Sequence, residues 1–427
     1  MPKSKMSDMY DPQQETMSTD RRRKYYDERV KWVVKYAYKN STAIKDKLDK
    51  AKIIPAHIRS VRDLEKVPIT IKENLIELQK KNPPFGGFLA VPVGKVWKFF
   101  YSTGPIFDVI GNSAEFWHRL KKVFHNVGFR KGDVVLITFS YHLIPASWGA
   151  DEALKQLGVT VIPAGVSNTE DQVEIARKLG VTGYVGTPSF LISIIKSAEK
   201  MGFDFRRDFK LRRAAVGGEP LPSSLRDELE NSYGVSTFNI FGTADLHWFA
   251  YECEKKMGMH IAEEVLLEIV DPEAGRQLNS GEIGEMVVTS FDETYPLIRF
   301  GLGDLACLSD EPCPCGRTSS RIVRFAGRVR DVVRVRGRFI YPGDVRKSID
   351  CFSEVSRYQL TVSRPAHRDE LTFFIELKQE DINKENLSHS IQESFKKNCV
   401  LRIDDIKFVP FGTISTEKII VDERKWD

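Results

Sequence analysis

From Gly132 onward, hydrophobic and polar positions alternate in blocks that predict a parallel sheet. Apolar, β-rich runs at 134–139, 159–163, 183–185, 214–216 and 237–241 are separated by stretches with helical spacing near 145–157, 170–179, 189–202 and 222–233. Short strands joined by such helices are the pattern of βαβ units. Upstream, residues 20–50 predict one basic amphipathic helix, with Tyr25, Val30, Val33, Val34 and Tyr38 at roughly helical spacing. A turn-rich stretch then ends at Pro83-Pro84-Phe85-Gly86-Gly87. After residue 263 the runs 266–270 and 285–290 flank two turn signals, Asp271-Pro272-Glu273-Ala274-Gly275 and Asn279-Ser280-Gly281, which predicts antiparallel β structure. A further shift comes near Arg330-Asp331. Beyond it, strands at 358–362, 371–377 and 406–409 alternate with helices near 343–351 and 385–397.

The expected architecture is α/β. A large N-terminal domain over 1–329 carries the parallel βαβ sheet and an antiparallel β subdomain, and a small α+β C-terminal domain covers 332–427. Ligands of open parallel sheets bind beyond the carboxyl ends of strands, so chemistry is expected in the loops there. Composition narrows the classes. With 41% hydrophobic and 29% charged residues, the 427-residue chain is globular rather than disordered. A net charge of +5, from 64 basic and 59 acidic residues, is too mild to mark a nucleic-acid binder. The polar opening at 1–14 has no apolar signal core, and no run approaches the roughly 20 residues that span a bilayer. A cytoplasmic protein without a membrane partner is expected, with its six cysteines reduced.

In that setting the cysteine spacing points to metal. Six residues separate Cys253 from His260, and Cys313-Pro314-Cys315-Gly316 holds two thiols in a tight knuckle. Three thiolates and an imidazole suit tetrahedral zinc, closed and therefore structural; the alternative is a set of isolated thiols. Cys307, Cys351 and Cys399 stand apart and are expected in the core. Ser102-Thr103-Gly104-Pro105 has the hydroxyls and backbone of a phosphate-contacting loop, or of a plain turn. Phe241-Gly242-Thr243-Ala244-Asp245 follows the last parallel strand and offers an aromatic face with a carboxylate for Mg²⁺, or else a turn into a helix capped by Asp245. Arg299-Phe300-Gly301-Leu302-Gly303-Asp304 reads as a glycine-rich turn whose aspartate suits ribose hydroxyls. Arg334, Arg336 and Arg338 would share one face of a strand, suited to polyanions or to a solvated edge.

Taken together and in order, several segments resemble the phenylacetate–CoA ligase branch of the adenylate-forming superfamily. They are Tyr10-Asp11-Pro12, Glu15-Thr16-Met17, Asn168-Thr169-Glu170, Thr187-Pro188-Ser189, Gly218-Glu219-Pro220, Pro296-Leu297-Ile298-Arg299, Gly303-Asp304-Leu305, Cys313-Pro314-Cys315-Gly316-Arg317-Thr318 and Gly327-Arg328. The resemblance implies that a carboxylate attacks the α-phosphate of ATP to give an acyl-adenylate. A mobile small domain then swings, and CoA displaces AMP to form a thioester. It implies ATP, Mg²⁺, CoA and a structural zinc on Cys253, His260, Cys313 and Cys315. It places Gly218, Glu219 and Pro220 at adenine, Phe241, Gly242 and Thr243 beside it, and Asp245 on Mg²⁺ where the family has glutamate. Asp304 would hold ribose, with Arg328 near the nucleotide, Asp331 at the hinge and Gly337 in the loop that serves thioester formation. Lys418 would be the adenylation lysine. Tyr141 and His142 would face an aryl or arylalkyl acid, His142 standing where the family has glycine and narrowing or polarising the pocket. A homodimer is kept as the assembly to test.

The chain departs from the family pattern in several places. The phosphate loop Ser-Ser-Gly-Thr-Thr-Gly-x-Pro keeps only Ser102, Thr103 and Gly104; Ala244 lacks a hydroxyl; Gly301 replaces an arginine; Glu417 precedes Lys418 in place of glycine. Two alternatives follow: adenylyl transfer to another acceptor such as a deazaflavin coenzyme, and a zinc-stabilised homologue that binds nucleotide or a partner without catalysis.

Overall fold

The computed structural model describes residues 9–102, 106–336, 338–365, 368–379, 381–414 and 418–424. Its chain forms two compact units. The first gathers residues up to Glu282 with Val287–Leu302 and Leu308–Val323, and the second gathers Ile283–Met286, Gly303–Cys307 and the chain from Arg324 onward.

In the first unit, the predicted apolar runs become parallel strands in the order Thr160–Pro163, Val134–Ile137, Gly183–Gly186, Arg213–Val216 and Ser236–Thr243. The sheet then continues antiparallel through His247–Glu252 to Met259–Ile261. Alternation along each strand feeds two cores. Val135 and Ile137 pack with Phe116, Leu120, Val123 and Phe124 of helix Ala114–Val127. Leu136, Tyr184, Ala214 and Val216 pack with Leu191, Ile194 and Ile195 of helix Pro188–Lys200. Both faces are thus covered, which is why these strands read as short unbroken apolar runs. Each fully buried side chain of this kind is worth about 1.5–3 kcal/mol.

Three sequence expectations are corrected. The segment 20–50 is two helices, Thr19–Asn40 and Thr42–Lys50. Ser41 stops the first and caps the second: its backbone is extended, and its hydroxyl accepts from Ile44 N at 3.3 Å while donating to Gly87 O at 2.9 Å. The segment 299–304 is not a turn, because Phe300–Ser309 is a strand paired in parallel with Thr70–Ile71. The arginine run does not share a strand face. It turns at Arg336 (φ 49°) between two antiparallel strands, Val333–Val335 and Arg338–Ile340.

The second unit has a four-stranded sheet: Val355–Ser363 lies between Glu370–Leu377 (antiparallel) and Ile420–Asp422 (parallel), and Asp405–Val409 joins Glu370–Leu377 in parallel. Val345 and Ile349 of helix Pro342–Ile349, and Leu387, Ile391 and Phe395 of helix Lys384–Cys399, fill its core with Leu360, Phe373 and Ile375. Among the described residues no helix is long and apolar enough to cross a membrane.

Candidate functional site

Ser102 ends strand Val96–Ser102, whose antiparallel partner is Ile106–Gly111. Thr103 and Gly104 lie outside the described residues. The Ser102 hydroxyl donates to Ile106 O at 3.5 Å, and Asp108, on the partner strand, is 2% exposed. Burial first, and then the neighbouring Asp245, push the Asp108 carboxyl up to about 7. The structure therefore places Asp108, on the strand paired with that of Ser102, beside Asp245.

Asp245 sits in the turn joining Ser236–Thr243 to His247–Glu252, so the expected helix cap is a hairpin turn. Two close approaches shape that turn. A Cβ on Gly242 would collide with the His247 backbone oxygen, and the register slips between Phe241 and Gly242. Thr243 Oγ1 accepts from Leu246 N at 3.3 Å, Arg119 donates to Leu246 O at 2.7 Å, and Phe241 meets Phe249 edge-on at 5.4 Å. Burial holds the His247 imidazole down at about 3; it is a neutral core residue, with Nε2 3.1 Å from Val109 O.

The unexpected member is Lys72. Its ammonium lies 2.5 Å from Asp245 Oδ2, and the aspartate side chain is fully buried. Asp245 Oδ1 and Asp108 Oδ2 are buried with no hydrogen-bond partner among the described residues. A hydrated Mg²⁺ keeps several waters in an octahedral shell. One Asp245 oxygen is taken by an ammonium and the other is sealed from solvent, so the arrangement does not fit that ion. A lone lysine 173 positions from its partner leaves no local signal in the sequence.

Gly218 has φ +81°, a conformation that suits glycine, and Glu219 reaches back to accept from Ser189 N at 2.7 Å. That bond ties the Gly218-Glu219-Pro220 segment to the N-terminus of helix Pro188–Lys200, where a carboxylate is favoured. Tyr141 donates to Asp151 at 2.8 Å. His142 is exposed, its backbone N donating to Ser140 Oγ at 3.1 Å, so its ring does not form an enclosed pocket wall. In the second unit, Arg328 pairs with Asp304 at 3.4 Å, joining two residues assigned to the nucleotide. The Lys418 side chain is exposed, and its carbonyl accepts from Gln359 at 3.2 Å; Gly337 lies outside the described residues.

The cysteine cluster assembles from three elements. Cys253 follows strand His247–Glu252, His260 lies in Met259–Ile261 directly across from Tyr251, and Cys313 and Cys315 come from the knuckle before Arg321–Arg328. All four are buried, and their donor atoms lie within 4.8 Å of one another. Cys253 and Cys313 sulfurs are 3.8 Å apart, and Cys315 Sγ is 3.4 Å from His260 Nε2. Zn–S bonds of about 2.3 Å and Zn–N bonds of about 2.0–2.1 Å at tetrahedral angles give edges of about 3.8 and 3.5 Å. The donor set fits zinc. His260 Nδ1 is held by Ser319 Oγ at 3.1 Å, which orients Nε2 toward the thiols. Hydrogen bonds from Cys253 and His260 hold the Cys315 thiol far below its ordinary value. Cys307 and Cys399 are buried as expected, whereas Cys351 is exposed.

The N-terminal segment closes over this knuckle. Glu15, 1% exposed, accepts from Arg317 Nε at 2.6 Å and from Asn126 at 2.9 Å; Thr318 N donates to Glu15 O at 2.9 Å. Arg317 N in turn donates to Cys315 Sγ at 3.4 Å. The segments Glu15-Thr16-Met17 and Arg317-Thr318, distant in sequence, are one structural unit.

This combination of fold and motifs defines an AMP-binding enzyme: residues 111–291 match the family model of that description, and 337–424 match its C-terminal domain. The fold is shared with a 2-hydroxyisobutyryl-CoA ligase solved in an open conformation with its acyl-AMP and CoA (TM-score 0.88, 23% identity, 97% of this chain and 95% of that one). Two curated relatives are phenylacetate–coenzyme A ligases. That of Thermus thermophilus is 30% identical over 409 residues, 92% of this chain and 91% of its own; that of Escherichia coli is 31% identical over 380 residues, 86% and 85%. The chain belongs to the phenylacetate–CoA ligase family of adenylate-forming enzymes.

Proposed function

We propose that the protein is an acid–CoA ligase that activates an aryl or arylalkyl carboxylic acid with ATP and transfers the acyl group to CoA. The observation that carries this reading is an identity of 30% sustained over about nine-tenths of both chains with a phenylacetate–CoA ligase. In the first step a carboxylate oxygen bonds the α-phosphorus as the bond to pyrophosphate breaks. In the second, the CoA sulfur bonds the acyl carbon and AMP leaves. Lys418 is the proposed source of positive charge for the first step, where charge builds on the phosphate. Gly218, Glu219, Pro220 and Phe241 are the proposed adenine contacts, Asp304 and Arg328 the ribose-side pair, and Tyr141 with His142 the acid-side surface. ATP, as its Mg²⁺ complex, and CoA are the co-substrates, and zinc on the cysteine cluster is structural.

ATP–pyrophosphate exchange over a panel of acids that includes phenylacetate tests this, with thioester followed by chromatography. Lys418→Ala is expected to lower exchange at least a hundredfold while leaving the metal content unchanged; full exchange in that variant rejects the lysine assignment. Exchange without thioester points to transfer of the adenylyl group to another acceptor. A second reading has its own support: the ion pair at Asp245 and a phosphate loop that keeps only Ser102, Thr103 and Gly104 of the family pattern favour a homologue that binds nucleotide without turning it over. Saturable ATP binding with neither exchange nor thioester selects it.

A further inference from the structure

Asp245 is the residue expected to hold a divalent cation, and in this chain its carboxylate already has a partner. Lys72 reaches it from a segment anchored on both sides. Thr70 and Ile71 pair with Phe300 and Gly301, and just beyond, helix Leu75–Lys81 is fastened to the hairpin through Gln79. The Gln79 amide donates to Phe107 O at 2.8 Å and accepts from Phe107 N at 2.9 Å. Phe107 is the neighbour of Asp108, so the same fastening fixes the strand that carries the second acid. The ammonium thus lies 2.5 Å from Asp245 by construction of three elements, not by the chance swing of a surface side chain.

The charges support the same conclusion. Asp245 and Asp108 are both more than nine-tenths buried and interact with each other, each with one oxygen that has no hydrogen-bond partner among the described residues. Two buried carboxylates need positive charge or a proton close by. Lys72 supplies one positive charge to Asp245 at 2.5 Å. The Asp245 carboxylate is therefore paired without a metal. The Lys72 side chain keeps 29% of its surface exposed. An ammonium has three donors, and with one on Asp245 the others are available to an anion at that surface.

We propose that the Lys72 ammonium stands at Asp245 in the place of the divalent cation expected there, so that the chain carries a tethered positive charge in place of an exchangeable one. The proposal deepens the nucleotide reading of this site, because the anion such a charge would meet is a phosphate. Its test needs no nucleotide, which separates its failure from a failure of that reading.

Mn²⁺ is titrated into the full chain, as purified, and free ion is followed by electron paramagnetic resonance. Wild type and Asp245→Asn are expected to take up Mn²⁺ identically. Lys72→Met, which vacates the position, is expected to gain one site per chain, with affinity at least tenfold above background, and the double variant Lys72→Met/Asp245→Asn is expected to lose it. A Mn²⁺ site in wild type that Asp245→Asn removes overturns the proposal. So does a Lys72→Met chain that is folded by circular dichroism and gains no site. If Lys72→Met does not fold, the comparison of wild type with Asp245→Asn still decides.

Discussion

Asp108 is a single carboxyl whose position makes folding stability sensitive to pH. Its folded pKa, pushed up to about 7 by burial and then by Asp245, lies above that of the unfolded chain. As pH rises from about 4 to 7 the unfolded state releases its proton first, so stability falls across that window. The contribution is fully present below about pH 4 and is lost as pH passes about 7. Asp108→Asn keeps the shape without the charge. It is expected to match wild type in urea melts at pH 4 and to exceed it at pH 8 by on the order of a few kcal/mol. Equal pH profiles for the two chains would reject the assignment. Such a residue is invisible to pattern reading: Ile106-Phe107-Asp108-Val109-Ile110 looks like an ordinary strand with one outward acid. Only the hairpin and the turn at Asp245 show that this acid faces inward. Lys72 escaped for the same reason, since long-range ion pairs leave no periodicity.

At the scale of elements, the cysteine cluster depends on strand register. His260 stands opposite Tyr251 and Arg321, so Cys253, two residues past Tyr251, and the 313–315 knuckle converge on its imidazole. Metal analysis is expected to find about one zinc per chain, lost in Cys313→Ser together with a drop in melting temperature; a metal-free wild type of unchanged stability would reject the site. The grouping of Cys253, His260, Cys313 and Cys315 was legible in the sequence because their spacing and softness restrict the chemistry, and the parallel strands because burial on both faces leaves unbroken apolar runs. Elements whose ends depend on one residue's conformation were not. The break at Ser41 is a cap inside a continuous helical pattern. The arginine run folds back where Arg336 enters the left-handed region. The glycines at 301 and 303 lie within a strand because Phe300 and Gly301 pair with Thr70 and Ile71, a partner far away in the chain.

For the molecule as a whole, the second unit carries a complete core of its own. Every residue of that core falls between Val333 and Ile420, including Val335, Ile340, Leu360, Phe373, Ile391 and Phe395. Arg324 adds an ion pair to Asp344 of helix Pro342–Ile349. A fragment of residues 324–427 is therefore expected to fold alone, with a single sharp thermal transition by circular dichroism; a broad, non-cooperative melt would show that it needs Ile283–Met286 and Gly303–Cys307. The first unit is stitched differently. Its opening turn is clasped, through Glu15 and Arg317, to residues 302 positions later. Ageing of the protein should then announce itself at the wrong end: oxidation of buried sulfur would appear first as new protease sensitivity around Glu15, long before the sheet lost its shape.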